Sequence, residues 1–276
     1  MQKNVSYCKE FIDKSKYVYN WINKQPSVGE ESLTDWLLFA LSESLPSVKY
    51  KSFTRHEEAK ETGSDWEWWF VDVHQALCFR IQAKKISEKK DNYFSIAYQN
   101  QYGMQIEKLI DNAQNNNFLP FYIFYYASQR KTKVLCSDTL WNKFDCGIFI
   151  SSATKLYNDF ILNGRKKVTP QDILIRSNPF YCLVCSHSLK NVQSIYEHLK
   201  MYYPDILETN SNSLEPGLHK EIPPYIQILL KFNGNIPKYE EEFKEQTKEI
   251  KNLIVVDLRE DSNKQINGKN ILKYML

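Results

Sequence analysis

Gly63-Ser64-Asp65-Trp66-Glu67-Trp68-Trp69, followed after a short spacer by Arg80-Ile81-Gln82-Ala83-Lys84, decides how this chain is read. Side chains on a β-strand alternate between faces with a period of two. Asp65, Glu67 and Trp69 therefore share one face. Arg80, Gln82 and Lys84 share another, with Phe79, Ile81 and Ala83 behind them, which is the alternation of a strand covered on one side. Asp72-Val73-His74-Gln75 supplies a turn between the two, so an antiparallel hairpin is expected with Asp65 close to Gln82. A hard divalent cation takes oxygen ligands, keeps several waters and uses only one or two protein carboxylates. Asp65 and the Gln82 carbonyl suit Mg2+ or Mn2+, with Glu67 as an additional ligand, and Lys84 is positioned to orient the attacking water and offset developing negative charge.

The elements around this hairpin follow a definite order. Leu33, Trp36, Leu37, Ala40 and Leu41 recur at helical spacing after Gly29, and the helix opens with Glu30 and Glu31. Val48 to Phe53 reads as a first strand, Asp65 to Val73 and Leu77 to Lys84 as the second and third. A helix from about Gln101 to Asn115 and a buried strand from Phe118 to Tyr126 complete the series. On a helical wheel Glu30 lies nearer the stripe of Leu33 and Leu37 than Glu31 does, so Glu30 is the better placed to reach the hairpin, although acids in a first turn also suit the helix dipole.

These residues and this order resemble the PD-(D/E)XK nuclease superfamily, in its variant with Gln before x-Lys. Asp65 matches the motif aspartate, Gln82 the (D/E) position and Lys84 the motif lysine; Ser64 stands where the motif has proline. The resemblance implies an α/β fold with a three-layer restriction-endonuclease-like core, a mixed central sheet flanked by helices. It also implies metal-dependent cleavage of DNA, or of RNA, and a setting in restriction or anti-phage defence. Glu30 or Glu31 would be the glutamate that members carry on the first helix. Gln82 lowers the negative charge of the metal site, which keeps a non-catalytic member of the superfamily in view.

Composition sets the frame. The chain has 276 residues, 42% hydrophobic and 14% aromatic, with a net charge of +3, too mild to announce a nucleic-acid binder by itself. Local basic clusters are the candidate nucleic-acid contacts: Lys84-Lys85 with Lys89-Lys90, and Arg165-Lys166-Lys167 ahead of the helix start Thr169-Pro170-Gln171-Asp172. A solvated face is the ordinary alternative for each. Trp69 is a candidate for stacking on bases, while Trp66 and Trp68, on the opposite face, read as core.

No signal peptide and no apolar run of about 18 residues is evident, so a cytoplasmic protein without a membrane partner is expected. Of the six cysteines, Cys78 in a strand and Cys182 and Cys185 in an apolar segment read as reduced core thiols rather than a disulfide framework, and Cys182-Leu183-Val184-Cys185 lacks the second close pair a zinc site needs, even with His187, His198 and His219 considered. No phosphate loop, dinucleotide fingerprint or serine elbow is present.

Residues 1–165 form the expected nuclease-like core. Cys146 to Ser151 and Ala153 to Leu162 extend it as a strand and a helix. Residues 166–276 form an α/β extension, with helices at Val192 to Tyr203 and Tyr239 to Lys251 and a strand at Leu253 to Leu258, suited to select a target, a partner protein or a second copy. Three functional classes follow: a metal-dependent nuclease, a nucleic-acid-binding subunit that kept the fold and lost the metal, and a protein-interaction module.

Overall fold

The computed structural model describes residues 7–53, 63–86, 94–96, 98–100, 103–127, 146–165, 167–185, 191–208, 215–236, 241–247 and 250–259. Two helices come first, α1 (Tyr7–Lys24) and α2 (Glu30–Ser44), followed by β1 (Val48–Ser52), β2 (Trp66–Val71) and β3 (Ala76–Lys85). Short ladder pieces β4 (Phe94–Ser95), β5 (Gln99–Asn100) and β6 (Gly103–Met104) lead to α3 (Gln105–Asn115) and β7 (Leu119–Tyr125). Then come β8 (Ile148–Ser152), α4 (Ala153–Leu156) with one π-turn behind it, β9 (Lys167–Val168), α5 (Pro170–Leu174) and β10 (Asn178–Pro179). The remainder is α6 (Val192–Tyr202), α7 (Pro204–Glu208), β11 (Leu218–His219), α8 (Pro224–Lys231), α9 (Glu241–Thr247) and β12 (Asn252–Asp257).

The hairpin forms as its pattern predicts. Trp66 lies opposite Ile81 and Val71 opposite Ala76 in antiparallel register. Asp72 makes the turn by accepting the backbone N–H groups of His74 at 2.8 Å and Gln75 at 2.9 Å through Oδ1, the local bond that favours Asp in turns. Its Oδ2 accepts from Val192 N at 2.8 Å and so also fixes the start of α6.

The sheet is mixed and open, in the order β1-β12-β2-β3-β7-β8-β10. β12 runs antiparallel to β1 and parallel to β2. The division expected at residue 165 therefore finds no seam in the sheet: a strand from the last thirty residues lies between the first two of the core. Leu253 to Val256 is apolar throughout, as a strand buried on both faces must be, but nothing local in it names its neighbours.

Helices cover both faces. Trp66, Trp68, Phe70, Phe79, Ile81, Ile254 and Val256 share a core with Phe11 and Ile12 of α1, Leu33, Leu37 and Leu41 of α2, and Ile195 and Leu199 of α6. Trp69, Val71, Cys78, Leu253 and Val255 face the second core with Tyr225, Ile226 and Leu229 of α8 and Phe243 of α9. Alternation along β2 and β12 sends successive residues to opposite layers. Among the described residues no helix is long and apolar enough to cross a membrane.

Helix α1 docks on the sheet through Ser15, whose carbonyl oxygen accepts from Gly147 N at 3.1 Å and whose Oγ accepts from Ile148 N at 3.3 Å. Cys8 at its start is disulfide-bonded to Cys185. That corrects the reading of Cys185 as a reduced thiol: the partners stand 177 residues apart in sequence and only the packing of α1 against the Phe180–Leu183 turn makes them neighbours. Cys78, Cys146 and Cys182 are buried thiols.

Gly147 is the tightest point of this docking, since a Cβ there would lie 2.2 Å from Tyr19 N and 2.7 Å from Ser15 O, both main-chain atoms of α1. Gly147→Ala is expected to destabilise the protein by about 1–3 kcal/mol, as overpacking of a rigid contact does, read as a lowered urea midpoint. An unchanged midpoint would mean that α1 does not sit this close to the sheet.

Candidate functional site

Asp65 stands one residue before β2, where its N–H donates to Ile81 O at 2.8 Å and prolongs the ladder. Its side chain turns toward β3. Oδ2 accepts from Ala83 N at 2.9 Å and from Gln82 Nε2. The same Gln82 Nε2 donates to Ala83 O at 2.9 Å, while Gln82 Oε1 accepts from Gln105 Nε2 at 2.6 Å. One strand position further, Lys84 Nζ lies 4.0 Å from Glu30 Oε1, and Glu30 Oε2 accepts from Lys85 N at 2.7 Å. The first residue of α2 is thereby tied to the end of β3. Asp65, Gln82, Lys84 and Glu30 come together as their spacing predicts.

Three contributors carried no sequence signal. Lys251, just ahead of β12, places Nζ 3.7 Å from Asp65 Oδ1 and 3.3 Å from Glu31 Oε1. Parallel pairing of Asn252 with Trp66 puts Lys251 beside Asp65, and Asn252 Nδ2 donates to Asp65 O at 3.4 Å. Gln105 opens α3 and reaches Gln82 as described. The main-chain oxygen of Ala83 is a third arrival, since a carbonyl carries no residue-type signature. Glu30, Glu31, Thr34, Asp35, Asp65, Lys251 and Asn252 line a cleft of about 10 Å³, room for a single water-sized occupant.

Burial holds the Asp65 carboxyl above the ordinary aspartate range, against the pull of Lys84, Lys251 and the Ala83 N–H. Glu30 is raised for the same reason, with Lys84 opposing and the Asp65 charge adding to the rise. Desolvation disfavours the charged form of each, and the two lysines restore part of what water would have supplied.

Glu67 is placed elsewhere, which corrects its reading as a metal ligand. Its Oε2 accepts from Trp69 Nε1 at 3.0 Å and from Tyr225 OH at 2.8 Å, and its Oε1 lies 2.7 Å from Arg80 Nη2. Glu67 and Arg80 are a buried ion pair within the second core, where a lone charge would be very costly. Trp69 is wholly buried against Phe118, His219 and Tyr225 and has no face to offer a base.

The basic clusters are likewise committed or lie outside the described residues. Lys85 Nζ donates to Val28 O at 2.7 Å and to Pro26 O, anchoring the α1–α2 turn, and burial lowers its pKa. Arg165 Nη2 donates to Asp172 Oδ2 at 2.8 Å. Asp172 itself completes the capping box with Thr169 that opens α5, so the helix start already holds a carboxylate. Lys89, Lys90, Lys166 and His187 lie outside the described residues, as does the side chain of Lys167.

Among the described residues no cluster of three or more His, Cys, Asp and Glu side chains is gathered for a metal. A cation would have to be held by fewer carboxylates and more neutral oxygens. Asp65 Oδ2 and Ala83 O both accept from Gln82 Nε2, so a carboxylate and a carbonyl oxygen already converge on one electropositive group. The Gln82 amide supplies a third oxygen if it turns. Such an all-oxygen set, completed by waters or phosphate, fits Mg2+ or Mn2+.

Residues 7–263 match the model of DUF6615, a family of unknown function. No curated protein matches the chain.

Because the folded-state pKa of Glu30 is raised, the folded protein binds the extra proton between the ordinary glutamate value, about 4.3, and the raised one. The stability this contributes is present below that window and lost as pH rises through it. Urea melts at pH about 4 and about 7 should show Glu30→Gln gaining stability relative to the parent at the higher pH. A difference that stays flat or reverses would mean Glu30 is not desolvated.

Proposed function

We propose that this chain, which belongs to the DUF6615 family, is a metal-dependent phosphodiesterase acting on DNA or RNA. The fold reading that accompanies it is the restriction-endonuclease-like core, consistent with a mixed open sheet flanked by helices. The observation that carries the proposal is the convergence of Asp65, Gln82 and Ala83 O at one point, with Lys84 and Lys251 on either side and Glu30 behind.

Asp65, Gln82 and Ala83 O would hold Mg2+ or Mn2+, which supplies Lewis acidity to a scissile phosphate. Lys84 is placed to orient water and to offset charge on the phosphate, and Lys251 favours the ionised form of Asp65 against the desolvation that raises its pKa. Glu30, whose carboxyl titrates above the ordinary range, is suited to accept the proton that water gives up as its oxygen bonds to phosphorus. The ester bond opposite breaks, and the leaving oxygen takes a proton from solvent. A restriction or anti-phage setting follows from the superfamily resemblance.

A second reading, a nucleic-acid-binding or interaction subunit that lost catalysis, is favoured by one observation: Gln82 turns its Nε2, not its oxygen, toward Asp65. The two separate in one assay. Purified protein is incubated with linear and circular duplex DNA, single-stranded DNA and RNA, in Mg2+ or Mn2+, with chelated controls. Lys84→Ala and Asp65→Asn are expected to lower cleavage by about 10²–10⁴-fold, the range for a lost acid–base or water-positioning group, and Lys251→Ala by about 10²-fold, as for a lost electrostatic donor. Salt-sensitive binding without cleavage on every substrate would establish the second reading instead.

A further inference from the structure

A buried acceptor beside the candidate site has no partner among the described residues. Gln105 donates through Nε2 to Gln82 Oε1 at 2.6 Å, yet its own Oε1 is sealed from solvent and accepts no hydrogen bond among the described residues. Buried side-chain oxygens are rarely left in this state. The Gln82 amide next to it is fully used: Nε2 donates to Asp65 Oδ2 and Ala83 O, and Oε1 accepts from Gln105. An amide nitrogen carrying two hydrogens cannot ligate a cation. For Gln82 to give oxygen to a cation shared with Asp65, its terminal amide must turn by half a revolution.

That turn has a defined consequence. Gln82 Nε2 would then point at Gln105 Nε2, donor against donor, unless the Gln105 amide turns as well. When both turn, Gln105 Oε1 receives the Gln82 N–H, and the acceptor that is now orphaned acquires its partner. Without a cation the reversed pair would set Gln82 Oε1 against the oxygens of Asp65 and Ala83, which is repulsive. With a cation among these oxygens the repulsion becomes coordination. The two amides thus have two arrangements, one leaving Gln105 Oε1 and the other Gln105 Nε2 without a partner among the described residues, and the charge between Asp65 and Ala83 decides between them.

We propose that Gln105 is a positioning residue for the metal site: its amide reverses together with that of Gln82 when a divalent cation binds, and its buried Oε1 is the acceptor held in reserve for the metal-bound arrangement. This rests on the phosphodiesterase reading of Asp65 and Gln82 and adds a residue on α3 that touches neither cation nor substrate. It also explains how glutamine serves at a position where the superfamily motif has a carboxylate, whose two oxygens need no reorientation.

The test observes the amides directly, without nucleic acid. Full-length protein labelled with 13C and 15N at glutamine is titrated with Mg2+, and the signals of Gln82 and Gln105 are assigned by their loss in Gln82→Met and Gln105→Met. Mn2+ binding is measured in parallel by calorimetry. The expected result is a common Mg2+ midpoint for both residues. The Gln105 Nε2 protons should move upfield as they lose their acceptor and its Cδ downfield as its oxygen gains a donor, a pattern that nearness to an ion does not produce. A Gln82 response with Gln105 keeping its nitrogen and carbon shifts would overturn the inference while leaving the metal site intact. No response from either residue, with no Mn2+ heat, would remove the metal-site reading and this inference with it.

Discussion

The pairing of β12 between β1 and β2 is the constraint on which the rest of this architecture depends. Leu253, Ile254, Val255 and Val256 are buried on both faces of the sheet, so this one strand joins the layer containing α1 and α2 to the layer containing α8 and α9. Without it β1 and β2 have no hydrogen-bonded contact in the sheet, and each leaves an unpaired edge. The same pairing carries Lys251 to Asp65. Assembly of the candidate site therefore requires a long-range closure that brings Lys251 to Asp65.

Two acid–base constellations stand on one sheet and are built on opposite principles. Glu67 and Arg80 are buried in the second core beside a cavity, with Trp69 and Tyr225 donating to the carboxylate. That arrangement neutralises its charges internally and holds α8 on the sheet. Asp65 and Glu30 are left about a fifth and a third exposed, beside two lysines at 3.7 and 4.0 Å. Partial burial raises both carboxyls, and the cleft beside them has room for one water-sized occupant. The first is an ion pair that lines a cavity of about 420 Å³ with His219 and Tyr225; the second joins two raised carboxyls at a cleft of about 10 Å³.

The hairpin and the positions on it were legible in the sequence because each rests on a local rule. Period-two alternation set which residues of β3 share a face, Asp72 made the turn, and helical spacing placed Glu30 at the start of α2. Glu67 was misread for an equally local reason. Alternation put it on the face of Trp69, where Arg80, opposite it in the ladder, takes the carboxylate. Trp69 fell to the same layer, whose covering helices α8 and α9 gave no sign of their destination.

By itself the sequence determined an α/β chain with an acidic and amide-bearing hairpin, since backbone periodicity, turn chemistry and apolar runs act over a few residues. Only the tertiary structure decided that β12 enters the middle of the sheet, that Lys251 and Gln105 meet Asp65 and Gln82, that Glu67 belongs to Arg80, and that Cys8 bonds Cys185. Those outcomes depend on which apolar faces bury one another across more than a hundred residues, and burial is non-directional: it demands a partner without naming it.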